Sequence, residues 1–260
     1  MKMPPDSFLM TIGGVPFISN IFRPNTLITA VACSRNNSAP KNFPNLADYF
    51  SPENARSIYK RLARSKVEEP ASTSLSAEEL ESVKISTENI QSALPQWNSL
   101  FSIPIKYRKL FDPMSSSTSA LIPQTIYLGQ RAFSSTILLE EVLVHEHAHT
   151  WLNFIMEIYD LQLETAPCDY VLPSGTSGKT LRGVLAAAHF SAAALIFYRH
   201  QRFAKGTEPR QEYLEHYLSG CLQTAFNRPC FTPMGHLVFE TLNTFHTNFT
   251  STTTGNQFIG

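Results

Sequence analysis

The chain has 260 residues, 43% hydrophobic and 11% aromatic, which is enough apolar material for a sizeable core and excludes a disordered or fibrous protein. Lys plus Arg and Asp plus Glu number 21 each, so no charge excess points to a nucleic acid or an anionic membrane as partner. Four cysteines, Cys33, Cys168, Cys221 and Cys230, are scattered without a CxxC pair, which is neither a disulfide framework nor a zinc ribbon and suits a reducing compartment. Pro4-Pro5-Asp6 stands where a signal peptide needs its apolar run, and no stretch reaches the ~18 uncharged apolar residues of a membrane helix. A soluble, cytoplasmic protein is therefore expected.

Residues 1–44 are rich in Pro, Asn and Ser and lack a sustained helical period; the apolar run at 27–32 reads as an irregular strand or a packed arm. Residues 45–67 read as a helix, with Ser51-Pro52-Glu53 as its cap and first turn. A second helix is expected over 76–94, where Ser76 is followed by Glu78 and Glu79 and then by spaced apolar residues. Between 100 and 133, SIPIKYRKLF and TIYLG are short β-type runs separated by the polar DPMSSSTS. From Ser134-Ser135 onward, TILLEEVLVHEHAHTWLNFIMEIYDL has neither Gly nor Pro and reads as one long, largely buried helix. A loop over 164–180 leads to a very apolar helix at 182–200, whose alanines permit close approach to another helix, expected to be the HExxH helix. Helices at 207–225 and 233–245 and a Thr-rich tail complete the chain. The expected fold is a mainly helical α+β single domain with a small sheet beside the HExxH helix. Residues 1–99 form a largely helical region of unknown role, and 100–260 the metal-binding catalytic region.

The chemistry concentrates in HEHAH at 145–149, an H-E-x-x-H pattern. On a helix, His145 and His149 stand one turn apart on one side, where two imidazoles can bind one metal ion. Glu146 lies beside them, within reach of a metal-bound water, whereas His147 points to the far side and reads as a surface or supporting histidine. The bland alternative is a partly exposed polar face of an amphipathic helix. Two histidines leave a metal undercoordinated. The sequence after His149 lacks the Gly and third His of HExxHxxGxxH. Glu157 and Glu164 are the available candidates for the glutamate of a zinc-peptidase site, and neither lies on a separate returning helix; with Asp160 and Asp169 they read as a solvated rim. His189, in the middle of an apolar helix, is the better third ligand, against the alternative of a buried histidine satisfied by a backbone carbonyl or a carboxylate.

LVHEHAHTWLN at 143–153, followed by LRGVLAAAHF at 181–190, resembles the HExxH-type 2-oxoglutarate-dependent peptide β-hydroxylases found with the biosynthesis of ribosomally made, post-translationally modified peptides. The resemblance spans this metal-site region, with a looser likeness at TIYLG before it. It implies iron(II) held by His145, His149 and His189, with 2-oxoglutarate and O2 as co-substrates. It implies a peptide substrate, in some cases a leader-bearing precursor, as partner. Arg182, two helical turns before His189, is then a candidate clamp for the distal carboxylate of 2-oxoglutarate, with Lys179 as the second candidate. The role of Glu146 stays open between ligation, positioning of water and orientation of a histidine. An HExxH zinc hydrolase with Glu146 as general base is the main alternative, and a non-catalytic peptide-binding relative the other.

Overall fold

The computed structural model describes residues 3–39, 43–62, 68–111, 116–200 and 206–255. It is 63% helical and carries a small four-stranded mixed sheet, so the expectation of a mainly helical α+β fold holds. The chain forms two compact units, Arg23–Ile158 and Met1–Phe22 with Tyr159–Gly260.

The unit Arg23–Ile158 contains helices α2 (Pro24–Ser38), α3 (Pro52–Leu62), α4 (Ala77–Ala93), α5 (Asn98–Phe101) and α6 (Thr136–Met156). Its strands are β1 (Ser72–Thr73), β2 (Lys106–Leu110), β3 (Ser116–Ser119) and β4 (Ile122–Leu128). The segment 27–32 is helical, not a strand or an arm. Pro24 opens α2 at a position where a missing N–H costs nothing, and Leu27, Val31 and Arg35 recur every four residues on its buried side. The third member of that stripe is an arginine, which hides the helical period from a purely apolar count. Residues 46–50 form a 3₁₀ turn, and the next helix starts only at Pro52, where the Ser51 Oγ accepts from the Asn54 N–H at 3.2 Å. The part expected at 63–67 lies outside the described residues. Ser76 caps α4 as expected: its Oγ accepts from the Glu79 N–H, and the Glu79 carboxylate accepts from the Ser76 N–H.

The sheet order is β1-β2-β4-β3, with β2 and β4 parallel and β3 antiparallel at the edge. β1 pairs with β2, so the sheet ties the chain before residue 99 to the chain after it, and a boundary at 99/100 would fall inside α5. Every residue of β4 is buried, as for a strand covered on both faces. Tyr107 and Ile126 are in register on the face covered by α6, while Lys106 with Thr125 and Arg108 with Tyr127 occupy the opposite face, where α3 packs on β4. The polar stretch expected only to separate the strands itself supplies β3.

The other unit contains α1 (Pro5–Ile12), α7 (Leu181–His200), α8 (Glu208–Asn227) and α9 (Pro233–Gly255). α7 is buried along nearly its whole length, and the helix it packs on most extensively is α8. By length and composition α7 is apolar enough to cross a membrane, contrary to the sequence reading, but 78% of that stretch is buried inside the protein, as in a core helix. α9 runs ten residues past its expected end at 245. The hydroxyls of Thr247, Thr250 and Ser251 donate to carbonyls one turn back, so these residues satisfy themselves within the helix.

Candidate functional site

α6 positions the HExxH residues. The Ser135 Oγ accepts from the Leu138 N–H and starts the helix, and 21 residues run on without a break. Trp151 donates its indole N–H to the Leu100 carbonyl at 2.9 Å and packs edge-on against Phe154, which locks the C-terminal half. Around the middle of the helix Glu146, His147, Ala148 and Thr150 are buried, while His145 and His149 keep partial exposure. Both imidazoles therefore sit on the side of the helix that a small solute can reach.

The ε nitrogens of His145 and His149 approach to 2.8 Å, with the rings edge to face at 4.5 Å between centroids. Two nitrogens each about 2.1 Å from one metal ion, at near right angles, stand about 3 Å apart. The pair therefore fits half of a mononuclear metal site as it stands. Among the described residues, no three His, Cys, Asp or Glu side chains converge closely enough to hold a metal ion.

Glu146 is 2% exposed, and its Oε1 accepts from the Ser116 hydroxyl of edge strand β3 at 2.5 Å. Its Oε2 is buried without a hydrogen-bond partner among the described residues. A carboxylate so placed retains a lone pair for a donor arriving from the site, and its direction is set by β3.

His147 is buried rather than on the surface. Its Nε2 lies 3.0 Å from the Tyr107 hydroxyl, and its ring packs tilted against Phe101 at 4.4 Å between centroids, so it braces the far side of α6 against β2 and α5. Burial pushes its pKa down to about 4, slightly opposed by the Leu100 carbonyl. The folded value lies below the ordinary value near 6.5, so His147 contributes stability that is present above about pH 6.5 and is lost as pH falls toward 4. Urea unfolding at pH 7 and pH 4.5 should show this loss, on the order of 3 kcal/mol at full extent, and His147→Gln should flatten it. An equally steep profile in His147→Gln would assign the pH dependence to other groups.

Glu157 does not belong to a solvated rim. Arg35 of α2 donates to both its oxygens, at 2.8 and 2.7 Å, and the two side chains are 2% and 6% exposed. The same guanidinium donates to the Tyr49 carbonyl and the Gln124 side-chain oxygen, and it lies over the Phe50 and Phe154 rings. With both oxygens engaged, Glu157 is unavailable as the third ligand of a zinc-peptidase site. Glu164, Asp160 and Asp169 are exposed, as expected of a rim.

His189 lies in the other unit and is fully buried. Its Nε2 is 2.8 Å from the Pro16 carbonyl, and since a carbonyl only accepts, Nε2 carries a proton, which in the neutral ring leaves the lone pair on Nδ1. The carbonyl belongs to a strained turn: Phe17, the next residue, has φ +64° and stands edge-on to the His189 ring. This carbonyl bond is the arrangement expected of a buried histidine satisfied by the backbone. It is also the one by which metal-binding histidines are held in a single tautomer. Arg182 is exposed on the first turn of α7, where its backbone N–H donates to the Gln162 side chain at 3.0 Å. Lys179 is half-buried and its backbone pairs with Tyr170 in both directions.

Sequence reasoning missed Ser116, Tyr107, Arg35 and Pro16. Each acts through a contact with a residue far along the chain, and none sits in a local pattern that marks it. No known family model matches this chain, and no curated protein is detectably similar to it.

Proposed function

We propose that the protein is a soluble, cytoplasmic iron(II)- and 2-oxoglutarate-dependent oxygenase that hydroxylates an unactivated side-chain carbon of a peptide. The observation that carries this reading is the convergence of the His145 and His149 ε nitrogens from successive turns of a helix buried everywhere else around its middle. Iron(II), when bound, supplies O2 activation coupled to decarboxylation of 2-oxoglutarate. His145 and His149 hold the metal from one rigid surface. His189 is the third ligand that the sequence resemblance assigns, and its carbonyl-bonded Nε2 leaves Nδ1 in the protonation state a ligand needs. Glu146, oriented by Ser116, offers one oxygen toward a donor in the site. Apolar residues bury α6 around the two imidazoles, which keep partial exposure on the open side. The engagement of Glu157 by Arg35 weighs against the zinc-hydrolase alternative, which needs a free carboxylate.

Anaerobic equilibrium dialysis tests the metal half of this reading. One iron(II) should bind per chain, and adding 2-oxoglutarate should produce a charge-transfer band in the visible spectrum. Binding of zinc with no spectral response to 2-oxoglutarate would count for the hydrolase instead. Arg182→Ala tests the co-substrate half: the 2-oxoglutarate concentration for half-maximal response should rise at least about tenfold, as for loss of a carboxylate partner, with iron content unchanged. An unaltered 2-oxoglutarate response would remove Arg182 from the site and leave Lys179 as the candidate.

A further inference from the structure

The face of the sheet opposite α6 carries a cationic cleft that the metal-binding reading does not use. Lys106 and Arg108 of β2 project there beside Thr125 and Tyr127 of β4, and Glu53 and Arg56 of α3 border them. Together with Glu69 they enclose a space of about 370 Å³, the size of a small-molecule site. A strand face beneath a helix is ordinarily apolar, because that is where a core forms. Two cations on such a face, with a third bordering them from α3, call for an explanation, and two carboxylates leave the cleft with one net positive charge.

The pairings within the cleft are of the displaceable kind. Lys106 meets Glu53 at 3.1 Å and Arg56 meets Glu69 at 2.8 Å, but the Glu53 and Glu69 side chains are 64% and 56% exposed. Ion pairs with such exposed partners contribute little. The Arg108 guanidinium hydrogen-bonds neutral oxygens: the Ser72 carbonyl at 2.9 Å, and the Ser72 and Ser74 hydroxyls at 3.4 and 3.5 Å. Arg56 donates to the Leu121 carbonyl at 3.0 Å. Neutral acceptors thus hold the Arg108 guanidinium in place while leaving its charge available to a ligand, and its planar fork matches an oxyanion bidentately, whereas Arg56 also donates its Nε–H to Glu69 at 2.8 Å.

We propose that this cleft binds a small ligand through a dianionic oxyanion group, either a phosphate or a dicarboxylate. The site stands apart from the HExxH residues and does not depend on a metal. Calorimetric titration of the full metal-free chain with inorganic phosphate, and separately with succinate, in low-salt buffer tests it. At least one of the two should bind with one-to-one stoichiometry, and the tighter of them names the source of the group. Arg108→Gln, which keeps an amide donor for Ser72, should weaken that binding at least tenfold. Lys106→Gln, at a half-exposed side chain whose loss cannot unfold the protein, should weaken it severalfold. His145→Ala/His149→Ala should leave it unchanged. Failure of both anions to bind, or binding equally tight in Arg108→Gln and Lys106→Gln, would overturn the proposal.

Discussion

His149→Ala is expected to weaken iron(II) binding at least about a hundredfold and to abolish turnover while the fold stays intact. His149 and His145 present the two ε nitrogens from one rigid surface, and losing either breaks the pair that anchors the ion. The fold should survive because His149 is partly exposed and alanine is the strongest helix former. His147→Ala should show the reverse. It removes a buried ring from between Phe101 and Tyr107 and leaves the Tyr107 hydroxyl without that partner, at a cost of about 1–3 kcal/mol, yet iron should remain bound. Iron titration and urea unfolding of both variants separate the two roles. Retention of full iron occupancy in His149→Ala would remove the proposed centre.

The second large effect concerns stability. Arg35→Met should destabilise the protein by about 3–5 kcal/mol, because it leaves the buried Glu157 carboxylate without its charge partner. It also strips a donor from Gln124, which lies where the β3–β4 register slips between Thr118 and Ser119 and has φ +55°. That bulge turns the Gln124 amide into the Arg35 cluster, where its nitrogen donates to the Phe50 and Pro104 carbonyls. Arg35→Met/Glu157→Met should recover much of the loss, since replacing both partners removes the stranded charge. A loss below about 1 kcal/mol in the single variant, measured by urea unfolding, would mean that water reaches Glu157 and that the cluster does not anchor α6.

The elements that carry the site were legible where one signal dominated. α6 has an unbroken apolar period and a serine cap, α4 has its capping box, and the HExxH spacing puts two imidazoles on one side whatever they pack against. The errors came where a stabilising group looked like a disruptive one. Arg35 is the third member of the buried stripe of α2, so the helix read as irregular. Glu157 looked like a solvent-facing carboxylate because its partner lies more than a hundred residues earlier. Thr247, Thr250 and Ser251 read as part of a tail beyond the last helix, although in α9 their hydroxyls turn back onto the helix. His147 reads equally as a surface or a supporting histidine because helical angle gives the side of a helix but not what covers it.

The most direct test of the central claim is succinate release from 2-oxoglutarate by the iron(II)-loaded protein in air. No peptide is needed, because uncoupled turnover reports the metal centre alone. Succinate should form well above the level of the His149→Ala variant, with one equivalent per 2-oxoglutarate consumed. Succinate no higher than in that variant, from protein shown to carry one iron(II) per chain, would contradict that claim.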